Sequence, residues 1–143
     1  MISDISNRTG TKLSRSVIML VIVMIVNVIV IILLTPIGFE TRPQSHLETA
    51  GYFAIVSIFL GLALDLASIA LLFKRVRVRL ASSLAIVTSV LFFLIIFIDR
   101  TGAFFSVPIP PAINTLEYIF IVVLIVTLLL ASKVYRGSKI ASS

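Results

Sequence analysis

The sequence contains no cysteine and no tryptophan, and His46 is its only histidine. Without cysteine the chain cannot form disulfides, iron–sulfur clusters or thiolate zinc sites. One histidine is too few for a bis-histidine haem or a typical histidine-rich metal site. Charged residues make up only 13% of the chain, against about 25% in a soluble domain. We therefore exclude a soluble enzyme, a nucleic-acid-binding module and a disordered chain, and we expect no cofactor.

The sequence is instead dominated by apolar residues, which form 59% of its 143 positions and raise the mean hydropathy to +1.21. A soluble domain of this size cannot bury so much apolar surface. Four apolar runs are each long enough to cross a hydrocarbon core of about 30 Å as a helix. Lipid offers no hydrogen-bond partners to the backbone, and a helix satisfies its own backbone groups, so we expect helices rather than strands. We predict one all-α membrane domain over 1–143, an up-down-up-down bundle with helices at about 16–34, 47–73, 80–98 and 115–133.

The predicted connections are two outer loops, 35–46 and 99–114, and one inner loop, 74–79. The first apolar run resembles a signal peptide in having basic residues before it. Its length exceeds the usual apolar region of such peptides, and no A-x-A-like cleavage site follows it. We expect it to remain as the first membrane span.

Basic residues are distributed very unevenly across these loops. If the amino terminus is cytoplasmic, ten of the 12 lysines and arginines lie inside, and only Arg42 and Arg100 lie outside. The positive-inside rule then predicts a multi-pass cell-membrane protein with both termini in the cytoplasm. The inner loop supplies four of the ten cations, Lys74, Arg75, Arg77 and Arg79. These cations are expected to attract anionic lipids at the cytoplasmic face. Their role in orienting the protein is by itself sufficient to explain their presence in this loop.

The second outer loop is apolar and rich in proline. Its candidate contact residues are Phe104, Phe105, Pro108 and Pro110. One interpretation places this segment in the lipid headgroups, with the phenylalanines as anchors. The other makes it a docking surface for another membrane subunit, because exposed apolar patches mark interfaces.

Two outer acids have the spacing of a capping box, Ser45 with Glu48 and Asn114 with Glu117. This pattern predicts that both acids lie in the first turn of a helix. A weaker alternative is a metal site that combines His46 with the acids of the outer loops, but one histidine and loop carboxylates are a poor signal.

Asp65 lies in the middle of the second span, about 12 Å from its end at Phe73 by helix rise. An acid at this depth costs about 3 kcal/mol on insertion scales and is a functional-site hypothesis by default. We expect its neutral, protonated form, because an isolated charge in hydrocarbon costs far more. Small and polar residues share its helix face and predict close packing against another helix: Ala54, Ser57, Gly61 and Ser68.

Polar residues of the first and third spans lie at a similar depth. We predict that Asn27 and Asp65 meet Thr88 or Ser89 in one buried cluster. A structural interpretation gives this cluster the task of fixing helix packing. A functional one gives Asp65 a proton or cation to bind, but transport pathways normally contain several ionisable groups or broken helices, and we expect no proline within a span.

The expected function is that of a small non-catalytic membrane subunit that stabilises or assembles a larger membrane complex. This function is favoured by the apolar outer loop. It also fits a sequence in which we find no nucleophile–base pair and no soluble domain. The alternative is a small proton- or cation-coupled transporter or channel that acts as a homo-oligomer around Asp65. A lipid-modifying or redox accessory enzyme is a third and weaker hypothesis.

Overall fold

The computed structural model describes residues 2–41, 48–104 and 108–142, and the side chains of 15–37, 48–104 and 108–138. These residues form four α-helices and no strand: α1 (Ile2–Thr41), α2 (Thr49–Phe73), α3 (Val78–Arg100) and α4 (Pro111–Ser142). Each helix contains a stretch that is long and apolar enough to cross a membrane: Arg15–Ile37, Thr49–Phe73, Val78–Arg100 and Pro111–Ser138. The prediction of an all-α chain with four membrane-length helices is confirmed.

The four helices form a ring in which α1 packs against α2 and α4, and α3 packs against the same two helices. At one end, Leu20 near the start of the first span packs with Leu72, Ala81 and Val134. At the opposite end, the later residues of α1 and α3 pack with the first half of α4. Neighbouring helices therefore run in opposite directions, and each of the two clusters lies towards one end of the bundle.

Many large apolar side chains point away from the bundle, and many small and polar ones are buried beside a smaller set of large apolar residues such as Phe92 and Leu20. Phe53, Phe97 and Leu129 are 72%, 69% and 67% exposed. In α2 the buried positions are Gly51, Ala54, Gly61, Asp65, Ser68 and Leu72. A soluble protein buries most of its large apolar residues, so this many exposed ones suit a bundle surrounded by lipid.

The first helix is longer than predicted, because α1 continues through Pro36 and ends at Thr41. The expectation that no proline lies within a span was wrong, since Pro36 falls inside Arg15–Ile37. Proline cannot donate the backbone hydrogen bond of a helix, but neighbouring groups allow it in membrane helices. The carbonyl that loses its donor here is that of Ile32, and beside it the Thr35 hydroxyl donates to the Ile31 carbonyl at 2.9 Å.

The fourth helix starts at Pro111 rather than near 115. Proline suits the first helical position, where its φ is already helical and no donor is needed. The Asn114 amide already donates to the Pro110 carbonyl at 2.9 Å, so Asn114 does not cap the helix and Glu117 is past its first turn. Glu48 immediately precedes α2, with an extended backbone and no capping bond from its side chain. Both capping-box predictions were wrong, and Ser45 lies outside the described residues.

A very short turn connects α2 to α3. Lys74 closes α2, and the Val76 amide donates back to the Leu71 carbonyl at 3.0 Å. Arg75 and Arg77 have φ angles of 55° and 49°, which are left-handed values. This conformation is disfavoured by about 1–2 kcal/mol for a residue with a Cβ atom. The turn reverses the chain quickly enough to bring α2 and α3 into contact along their length.

Candidate functional site

Asp65 lies in the bundle interior, where it connects α2 to α3. The side chain is 2% exposed, and its Oδ1 atom is 2.6 Å from Oγ1 of Thr88. The Thr88 hydroxyl is also 3.1 Å from the Ala85 carbonyl of its own helix. The other carboxyl oxygen of Asp65, Oδ2, is buried without a hydrogen-bond partner.

The distances around Thr88 suit a neutral Asp65. A hydroxyl group has one proton to donate, whereas Thr88 has both the Asp65 carboxyl oxygen and the Ala85 carbonyl within reach. The carbonyl can only accept. If Asp65 carries a proton, it donates to Thr88, and Thr88 donates to Ala85. Both contacts are then hydrogen bonds, and no isolated charge is buried.

Asn27 forms a second polar contact, between α1 and α4. Its Nδ2 atom donates to the Thr127 hydroxyl at 2.8 Å, and Thr127 in turn donates to the Val123 carbonyl at 2.8 Å. Both side chains are 1% exposed. The Oδ1 atom of Asn27 is buried without a hydrogen-bond partner.

The structure thus contains two hydrogen-bonded pairs where the sequence predicted one cluster. Asp65 pairs with Thr88, whereas Asn27 pairs with Thr127, which we had not assigned to the cluster. Ser89 donates within α3, to the Ala85 carbonyl at 2.8 Å. Depth along the membrane was the only signal for the cluster, and depth does not determine which neighbour a side chain faces.

The predicted packing face of α2 lies against its neighbours at three positions. Ala54, Gly61 and Ser68 are buried, whereas Ser57 is half-buried. The Ser68 hydroxyl donates to the Ala81 carbonyl of α3 at 2.7 Å. A Cβ atom added at Gly61 would lie only 2.7 Å from Cζ of Phe92, so glycine is what allows this ring to lie against α2.

One end of the bundle, here called the basic end, carries the α2–α3 turn. Lys74, Arg75, Arg77 and Arg79 are all exposed there. Arg79 donates to the Tyr135 hydroxyl at 3.0 Å, and its guanidinium lies 4.9 Å from the Tyr135 ring centroid. Further cations at this end come from the start of the first span and the end of the fourth: Arg15, Lys133 and Arg136.

The opposite end, here called the acidic end, contains Asp99 and Glu117, which are only 7% and 5% exposed. An oxygen of Glu117 lies 3.2 Å from the Arg100 guanidinium. The same guanidinium covers the Tyr118 ring at 4.7 Å from its centroid. Sequence reasoning assigned Glu117 to a helix cap and did not find this ion pair, because it depends on how α3 and α4 face each other.

A cavity of about 150 Å³ lies at the acidic end, which we call the acidic-end cavity. Its wall is mostly isoleucine and phenylalanine, contributed by all four helices, and it includes Asp99 and Glu117. The sequence offered no sign of this space, because a cavity arises from the fit between helices rather than from a motif.

Phe104 is part of the cavity wall rather than an outward-facing anchor. It is 8% exposed, and its carbonyl accepts a hydrogen bond from the Glu48 amide at 2.8 Å. Both interpretations of the second outer loop required an outward-facing ring, so both are wrong for Phe104, which instead fills space between the helices. Pro108 is exposed and Pro110 is half-buried, whereas Phe105 lies outside the described residues.

The described side chains do not support the weaker metal-site hypothesis. Among the side chains that the structure describes, no three histidine or acidic residues are grouped to hold a metal ion. His46 and Glu40, two members of the hypothetical set, have side chains outside that part of the chain.

Comparisons with models of protein families, with curated proteins and with solved structures found no match to this chain.

Proposed function

We propose that this chain is a small non-catalytic integral membrane subunit that stabilises or assembles a larger membrane protein complex. The observation that carries the proposal is how the intramembrane polar side chains are used. Asp65 with Thr88 and Asn27 with Thr127 form hydrogen bonds between helices, so they hold the bundle together. Large apolar side chains face outward on every helix and are available to lipid and to neighbouring subunits.

The proposed location is the cell membrane, with both termini and the α2–α3 turn in the cytoplasm. Support comes from the concentration of exposed cations at the basic end, which the positive-inside rule assigns to the cytoplasmic side. Anionic lipids are the expected surroundings of this end, because each basic residue near a charged leaflet contributes about 1 kcal/mol.

Variants at Asp65 test the structural role. Asp65→Asn retains a side chain that can bond to Thr88, so we expect normal assembly. Asp65→Leu removes this bond and adds volume at a site that is 2% exposed, where overpacking costs about 1–3 kcal/mol. We expect it to lower the yield of the bundle and of any co-purified subunit in mild detergent. Leu66→Asn, on the exposed side of the same helix, controls for changed polarity alone.

The second candidate is a proton- or cation-coupled transporter, and one observation favours it. The buried Oδ2 atom of Asp65 has no partner, so a proton or cation could be held there. This candidate predicts that Asp65→Asn assembles normally but abolishes proton uptake into proteoliposomes that contain a pH-sensitive dye. If uptake by wild-type protein is lost in that variant, the structural role is refuted. If a foreign subunit co-purifies in constant proportion and no uptake occurs, the subunit proposal stands.

A further inference from the structure

The acidic-end cavity has the size and lining of a site for a small apolar group. Its volume is about 150 Å³. An enclosed protein cavity of this size lined by leucine, isoleucine and phenylalanine stays dry and binds benzene, and this cavity, which is partly open, has a similar apolar lining. Here the wall includes Ile31, Ile58, Phe92 and Phe120. Water gains little in such a space, whereas an apolar ring or short chain gains contacts with each wall.

The cavity also has one polar side, formed by two buried carboxyl groups. Asp99 and Glu117 are both more than nine-tenths buried and both belong to the wall. Arg100 reaches Glu117 at 3.2 Å but does not line the cavity, and it stacks on Tyr118, which is 56% exposed. The arginine therefore approaches from outside. A carboxylate has about four acceptor positions, and both carboxyl groups form part of the cavity wall.

We propose that the acidic-end cavity binds a small amphipathic amine, with its apolar body among the isoleucines and phenylalanines and its ammonium group against Asp99 and Glu117. The mostly apolar wall disfavours a hydrated metal cation, because the cation would lose water ligands and gain few polar contacts in their place. The carboxyl groups disfavour an anionic amphiphile such as a fatty acid. An ammonium group gains charge-assisted hydrogen bonds from the same carboxyl groups.

An ammonium group can come from a free amine or from a phospholipid headgroup. In phosphatidylethanolamine a phosphate group lies close to the ammonium, and its negative charge would lie near the two carboxyl groups. This repulsion favours the free amine. The proposal concerns ligand binding and does not depend on the chain being a subunit of a complex.

Binding of 4-fluorobenzylamine by the full chain in nanodiscs tests the proposal, with fluorine NMR as the readout and empty nanodiscs as the blank. We expect the amine to bind about tenfold more tightly than 4-fluorobenzyl alcohol, since a hydrogen bond to a charged group is worth about 1.5–3 kcal/mol and 1.4 kcal/mol is tenfold. We expect 4-fluorobenzoate to bind more weakly than either. Adding phosphatidylethanolamine to phosphatidylcholine nanodiscs should leave amine binding unchanged, and competition would identify the lipid headgroup as the source.

Two kinds of variant separate the apolar and polar parts of the site. Ala54→Leu fills the cavity from α2 and should weaken binding of the amine and the alcohol at least tenfold. Ala67→Leu makes the same change on the exposed side of α2 and should have no effect. Glu117→Gln should reduce the preference for the amine, since Asp99 remains in the wall, while alcohol binding persists. If Ala54→Leu does not fold, Ile58→Phe fills the same space.

The proposal is overturned if the amine binds no better than the alcohol. It is also overturned if a folded cavity-filling variant, as judged by circular dichroism, binds the amine as well as wild type does. The first result would remove the role of the carboxyl groups, and the second would place the amine in the surrounding lipid.

Discussion

The contact between Gly61 and Phe92 makes a quantitative prediction about the stability of the bundle. A Cβ atom at position 61 would lie 2.7 Å from Cζ and 3.1 Å from Cε1 of Phe92, whereas ordinary contacts are 3.4–4 Å. The ring cannot move away freely. It is 2% exposed, and the Phe120 ring lies 5.5 Å from it, centroid to centroid.

Two opposing effects determine the result of Gly61→Ala. Forcing a methyl group into a packed interior costs about 1–3 kcal/mol. Alanine favours a helix over glycine by up to about 1 kcal/mol. The packing cost is larger, because the ring that must move is confined on its other side. We expect the free energy of unfolding to fall by about 1–2 kcal/mol.

A double-mutant cycle tests this assignment, with reversible unfolding of the purified protein in mixed detergent micelles as the assay. In the Phe92→Leu background the clash is absent, so Gly61→Ala should be neutral or stabilising. The coupling free energy between the two sites should then be at least about 1 kcal/mol, as is usual for residues in contact. Ala63→Gly, on the exposed side of the same helix, measures the helix-propensity contribution alone. If Gly61→Ala is as stable as wild type while Phe92 is present, the packing argument is refuted.

Two further predictions concern the second polar pair and the orientation of the chain. Asn27→Leu should lower the free energy of unfolding by about 1–3 kcal/mol in the same assay, because it adds volume at a site that is 1% exposed, where overpacking has that cost. The lost hydrogen bond to Thr127 adds only about 0.6 kcal/mol, and an unchanged free energy of unfolding would show that the pair does not help to hold the bundle together. The chain has no cysteine, so Arg77→Cys and Gln44→Cys can each be probed in intact cells with an impermeant thiol reagent. Gln44→Cys should be labelled and Arg77→Cys protected, and the opposite pattern would refute the proposed orientation.

The four helices could be predicted from sequence because length and apolarity are direct requirements of a membrane span. The ends of the helices were harder to predict from the sequence. The predicted outer loops 35–46 and 99–114 contain Pro36 and Pro111, and proline often ends a helix in water. In the structure one is tolerated within a helix and the other begins one. Proline alone does not show whether the missing hydrogen bond is needed, since that depends on position within the helix.

The candidate site could be predicted only in part, for a related reason. The small residues on one face of α2 indicated a close contact, and Gly61 makes one. The partner of Asn27 depends on the rotation of α1 relative to α4, which neither depth nor composition specifies. Phe104 was predicted to face either the lipid headgroups or a partner, whereas it is buried in the cavity wall, and no pattern in the sequence of the loop indicates that position.

The left-handed arginines of the α2–α3 turn reveal a conflict between local geometry and charge. Glycine adopts positive φ without the steric cost of a Cβ atom, so a glycine at either position would ease the turn by about 1 kcal/mol. Arg75 and Arg77 occupy these positions instead. In the proposed orientation, glycine would also remove two of the charges that mark the cytoplasmic side of the chain under the positive-inside rule. A variant with glycine at both positions would thus be a more stable hairpin that is less securely oriented, and substitutions that look favourable for the folded bundle would act against its assembly in the membrane.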